Sequence, residues 1–119
     1  MTADYRRRSD ALNDLYRRFA DEDHEQTMAD YKALLQLPAF RRVLMNVVKR
    51  SRVFGSISFD KADVNEVMKA IGFRELGVDV YMAANQADGA MVLKAIEERN
   101  AVERERRERL EKATKGNER

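Results

Sequence analysis

The chain has 119 residues and a mass of 13.8 kDa, room for one modest hydrophobic core but not for two. Its charged fraction of 37%, against about 25% in ordinary globular chains, predicts long stretches of solvated helix surface. No cysteine is present, which excludes a disulfide framework, a thiolate metal site and a cysteine nucleophile. No apolar run approaches the roughly 20 residues of a membrane span, and no apolar h-region of an export signal follows the charged start. A soluble, intracellular protein with no membrane contact is the expectation.

One proline, five glycines and no sustained period-two alternation predict an all-α domain of about five helices with a charged C-terminal helical extension. The first helix, about residues 2 to 20, carries Tyr5, Leu12, Leu15, Tyr16 and Phe19 at helical spacing and is expected to pack on the rest. Asp23, with Gln26 three residues on, has the form of a capping box and predicts the start of a second helix that runs to about Leu37. Pro38 then restricts the residue before it and suits the first turn of a third.

That third helix, about residues 39 to 52, lies in a stretch from Lys32 to Phe59 without a single carboxylate, in a chain whose net charge is only +2. At a 3.6-residue period Phe40, Val43, Leu44, Val47 and Val48 fall on one side, and Arg41, Arg42, Lys49, Arg50 and Arg52 on the other. One face is expected to be buried and the other offered to something anionic. Acidic segments flank it: Asp21 to Asp30 before, and Asp60 to Asp88 after. Such blocks can meet within one fold or between subunits.

Val53 to Phe59 is too rich in glycine and serine for helix and too apolar for a free linker; Phe54, Ile57 and Phe59 are expected to fill the core. Asp60 and Asp63 predict the cap of a long helix to about Gln86, with Val64, Val67, Met68, Ile71, Val78 and Tyr81 as its stripe. Gly72 and Gly77 each cost that helix about 1 kcal/mol relative to alanine, so each is expected to admit a close backbone or to mark a bend. Ala87-Asp88-Gly89 predicts a break, and a final helix follows with Met91, Leu93 and Ile96. Beyond Asn100 the pairs Glu103/Arg107, Glu105/Arg109, Glu108/Lys112 and Glu111/Lys115 favour an exposed helical tail without an apolar seam.

Residues for chemistry are few. His24 sits among Asp21, Glu22, Asp23 and Glu25, but consecutive residues diverge on a helix and no second histidine completes a metal set, so no metal and no cofactor is expected. There is no Ser-His-Asp set, phosphate loop or two-histidine zinc helix. A small helical enzyme would need a deep polar pocket with converging titratable groups. The basic helix face is the best candidate site, with three readings: ordinary solvated surface, contact with an acidic protein surface, or contact with nucleic acid phosphates.

The middle of the chain resembles a small helical family of podovirus-type phages and prophages, encoded beside the large terminase and portal genes and without an established activity. The matching residues are Pro38-Ala39-Phe40-Arg41-Arg42-Val43-Leu44 at a helix start, the turn Val53-Phe54, and Gly72-Phe73-Arg74-Glu75-Leu76-Gly77 in a later helix. Ala87-Asp88-Gly89 stands where many relatives have Ala-Asp-Pro, and Phe73, Glu75 and Leu76 depart from the frequent pattern. The resemblance covers about residues 28 to 98 and transfers no catalytic residue. It implies a non-enzymatic accessory protein of genome packaging, portal or head assembly, or the virion interior, in the host cytoplasm during assembly or carried in the particle. Portal, terminase or virion proteins are the implied partners; the basic helix face adds DNA phosphates, and the blocks of opposite charge add further copies of the chain. A helical nucleic-acid-binding regulator is the alternative.

Overall fold

The computed structural model describes residues 2 to 57 and 63 to 117, and the described residues hold helices and no strand. Three helices replace the five expected: α1 (Thr2–Leu35), α2 (Pro38–Arg50) and α3 (Val64–Asn117). The first correction lies at Asp23, which is interior to a continuous 34-residue α1. Neither proline nor glycine interrupts residues 2 to 35, so the backbone ladder continues through the acidic segment and the side chains of Asp21 to Glu25 remain exposed. The second lies at Asp88. Its φ/ψ of −160/84 are non-helical, but the ladder resumes at once, leaving one 54-residue helix with a kink where two helices were expected. Asp88 Oδ1 accepts from the Met91 backbone N–H at 3.3 Å, an N-cap placed inside a helix, and its Oδ2 accepts from Gln36 Nε2 at 3.3 Å.

Helix α3 begins after Asp63, whose Oδ1 accepts from the Asn65 N–H at 3.3 Å; Asp60 and Phe59 lie outside the described residues. Helix α2 starts on Pro38 and closes with paired bonds from Arg52 N to Lys49 O and from Val53 N to Val48 O, both 3.2 Å. This is the Schellman arrangement, with Arg52 at the left-handed position (φ 57) that glycine usually occupies.

Leu35, Leu44, Val48, Ala84 and Val92 form the buried cluster, edged by Tyr31, Phe40, Val53, Val80, Tyr81, Met91 and Ile96. Helix α3 therefore turns a face of small residues, Gly77, Ala84 and Ala95, with Val92, toward its neighbours. Of its expected stripe Val67, Ile71, Val78 and Tyr81 are half-buried, whereas Val64 and Met68 are exposed, as is Leu93 of the expected final helix. Phe54 does not fill the core either: it is 70% exposed and meets Tyr81 edge to face at 5.1 Å.

The expected packing of the first helix is overturned more thoroughly. Tyr5, Leu12, Leu15, Tyr16 and Phe19 are all exposed, and the side of α1 that packs is the later one, from Met28 through Tyr31 to Leu35. The molecule measures 90 × 40 × 15 Å, about one helix thick in its shortest direction. Its radius of gyration, 22.2 Å, compares with about 13.5 Å for a compact chain of this length.

The two helical glycines separate. A methyl group on Gly77 would overlap Ser51 Oγ and Cβ and lie 3.1 Å from Val53 Cγ2, so Gly77 lets the end of α2 rest on α3. Among the described residues nothing lies within 4 Å of that position on Gly72, and the expected close contact does not form there with any of them. Gly77→Ala should lower stability by about 1–3 kcal/mol through overpacking, whereas Gly72→Ala should leave it unchanged or raise it by up to about 1 kcal/mol through helix propensity. Urea denaturation of both variants checks this; equal losses would contradict the assignment.

Candidate anion-binding cleft

The five basic residues expected on one face of α2 occupy different environments. Arg41 is 5% exposed. Its Nε donates to Glu98 Oε1 of α3 at 2.8 Å, and its Nη1 donates to the carbonyl of Leu35, in the last turn of α1, at 2.9 Å. Arg41 is thus a structural cation and leaves the set of candidate anion ligands. It precedes the buried Leu44 by three residues and Val48 by seven, a spacing that puts it beside them on the face turned to α3. The 3.6-residue period therefore sets Arg41 beside the apolar face, and the expectation that it lay on the opposite side is corrected.

Lys49 is exposed and lies 3.9 Å from Glu103, a distance at which a surface pair contributes little. Arg42, Arg50 and Arg52 are exposed and form no ion pair among the described residues. Arg50 borders an apolar groove of about 520 Å³ between α2 and α3, beside Val43, Val47, Phe73 and Leu76. Arg52, the left-handed residue after the C-cap Ser51, lies in a separate hollow beside Phe54. Only Arg42 lies in the cleft that Arg41 and Glu98 close from within.

This cleft, about 590 Å³, is lined on the α2 side by Arg42 and Asn46 and on the α3 side by Arg99, Val102 and Arg106. Arg99 donates to Glu103 at 3.1 Å. Arg106 has no ion-pair partner among the described residues and faces the same opening as Arg42. Sequence reasoning missed Arg99 and Arg106 because they belong to a charged helix whose Glu–Arg spacing reads as self-neutralising. Of the four expected tail pairs the described side chains form Glu105–Arg109, at 2.7 Å, while Glu103 turns back to Arg99 and across to Lys49. Two arginines with open donors, an amide and a fixed guanidinium–carboxylate pair at the floor can hold an oxyanion such as a phosphate ester.

Among the described residues no group of three His, Cys, Asp or Glu side chains comes together to hold a metal, and no helix is long and apolar enough to cross a membrane. No protein-family model matches the chain, and neither a curated protein nor a solved structure matches it.

Glu98→Ala should remove the charged acceptor of a buried guanidinium and cost about 1.5–3 kcal/mol, read as a lower urea midpoint. Arg52→Gly should act in the opposite direction: relief of the left-handed strain of about 1–2 kcal/mol, offset in part by the flexibility of glycine in the unfolded chain, leaves a net gain of about 0.5–1 kcal/mol in the same measurement.

Proposed function

We propose that this chain is a non-enzymatic accessory protein of phage genome packaging or head assembly, acting through contacts of its basic surface and not through chemistry. The setting comes from the resemblance of residues 28 to 98 to the terminase-adjacent phage family. One observation carries the mode of action: Arg42 and Arg106, far apart in sequence, line one cleft without carboxylate partners among the described residues. Arginine forks left open in this way suit phosphates of a polynucleotide or carboxylates of an acidic protein surface. An extended, one-helix-thick body supports such a role, because it offers far more surface than core.

The same cleft favours a second reading, a helical nucleic-acid-binding regulator, and a DNA titration separates the partners. If phosphates are the ligand, the affinity of the wild type for duplex DNA falls steeply with salt, and Arg42→Gln with Arg106→Gln flattens the log-log slope by about 0.9 for each phosphate no longer neutralised. If an acidic protein is the ligand, duplex DNA binding is negligible near physiological salt, and the double variant instead loses co-purification with portal or terminase. Mass spectrometry of purified particles then distinguishes a virion component from a transient assembly factor. A double variant that retains every interaction and supports phage growth would end the proposal.

A further inference from the structure

The N-terminal half of α1 carries an apolar stripe that nothing among the described residues covers. At helical spacing Tyr5, Leu12, Leu15, Tyr16 and Phe19 share one side, and Tyr5 is 77%, Tyr16 67% and Leu12 53% exposed. Charge of opposite sign lies toward the two ends of the stripe. Arg6, Arg7 and Arg8 follow Tyr5 near its start, and Asp21, Glu22, Asp23 and Glu25 follow Phe19. Within the helix period Arg8 falls on the stripe at one end, and Asp23 on it and Glu22 at its margin at the other, while Arg17 and Arg18, beside Phe19 in sequence, turn away from it. None of Arg6, Arg7, Arg8, Asp21, Glu22, Asp23 and Glu25 forms an ion pair among the described residues.

We infer that a second copy of this chain covers the stripe, with the two α1 helices antiparallel about a two-fold axis near Leu15. Antiparallel pairing about that axis sets Arg8 of each copy against Glu22 and Asp23 of the other, twice over, and overlays the segments from Leu12 to Phe19 of both copies, while Tyr5 lies beyond the shared apolar stretch. Parallel pairing would set arginine against arginine and carboxylate against carboxylate, which costs at both ends. The contact is isologous and closes on itself, so it yields a dimer and not a fibre.

The available surface agrees. The chain exposes 10039 Å², whereas a compact protein of this mass exposes about 6,600 Å², an excess of roughly 3,400 Å². A stable dimer removes about 800 Å² from each partner, well within that excess. The junction of the three helices lies at the other end of α1, around Leu35, so the pairing leaves the Arg42–Arg106 cleft and its assigned role independent of this inference.

The test uses the full chain, whose lack of cysteine makes single thiols informative. Light scattering coupled to size exclusion should give twice the protomer mass. Leu12→Glu with Leu15→Glu should weaken the dimer at least about 10-fold, as expected for losing burial of leucine side chains, while circular dichroism retains the helical signal because both positions are exposed in the protomer. Under oxidising conditions Arg8→Cys mixed with Glu22→Cys should cross-link, and Arg8→Cys alone should not. Arg8→Glu, or Glu22→Arg with Asp23→Arg, should each weaken the dimer, and the three changes together should restore it. A monomer at tens of micromolar would overturn the inference. So would Arg8→Cys linking to itself in preference to Glu22→Cys, or a charge reversal that does not restore association.

Discussion

Arg41 is the point on which the three helices converge. Its side chain leaves α2, satisfies a carbonyl in the last turn of α1 and pairs with a carboxylate of α3, so one guanidinium joins all three elements. Helix ends leave carbonyls without intrahelical partners, and a cation there is favoured both as a donor and by the macrodipole. The desolvation of a nearly buried charge is offset because its contacts are charge-assisted and no buried side-chain polar atom among the described residues is left without a partner. Apolar packing around this point is thin: Leu35, Leu44 and Val92 are the largest fully buried side chains. With so little hydrophobic area near the junction, the angle between helices depends on directional bonds to an unusual degree.

From that junction the rest of the molecule extends outward. The small residues of α3 let α2 settle closely, with Ser51 against Gly77 at one end and Arg41 against Glu98 at the other. The kink at Asp88 falls between these two contacts, and Gln36, from the α1–α2 connection, donates to the kinked residue's carboxylate. The bend in α3 and the turn between α1 and α2 are therefore tied to each other. Beyond these ties α1 runs toward its N-terminus and α3 toward its C-terminus as solvated helices, and in α3 the intrahelical pairs Arg99–Glu103 and Arg109–Glu105 replace tertiary burial.

The features legible in the sequence were those set by backbone chemistry. Pro38 starts α2, Asp88 disrupts α3, and Gly77 marks a close approach, each because the residue type permits or forbids a local geometry, whereas α3 starts after Asp63 and the expected cap Asp60 lies outside the described residues. What could not be read depended on which faces meet. Asp23 has a capping residue's chemistry, yet nothing breaks the helix beside it. Gly72 has the same intrinsic cost as Gly77 but faces open space. The stripe of α1 has the period of a buried face, and period alone does not say whether the covering surface belongs to the same chain. Of the candidate site, Arg42 is exposed, Arg41 sits on the face turned to α3 and not on the opposite one, and Arg106 was hidden in a tail whose composition suggested self-pairing.

The spread-out arrangement also bears on how the chain reaches its native state. Helix hydrogen bonds join near neighbours in sequence, and the protein consists almost entirely of them, which places it among low-contact-order chains that fold in microseconds to milliseconds. Elongation of α1 and α3 takes nanoseconds per residue once each is nucleated. The slower event is the docking of α3 on the first two helices, whose contacts range from Ser51 against Gly77 to Arg41 with Glu98, 57 positions apart, because these segments must close before the contacts offset their lost entropy. The same guanidinium that fixes the geometry of the finished molecule is thus a measure of when its folding is complete.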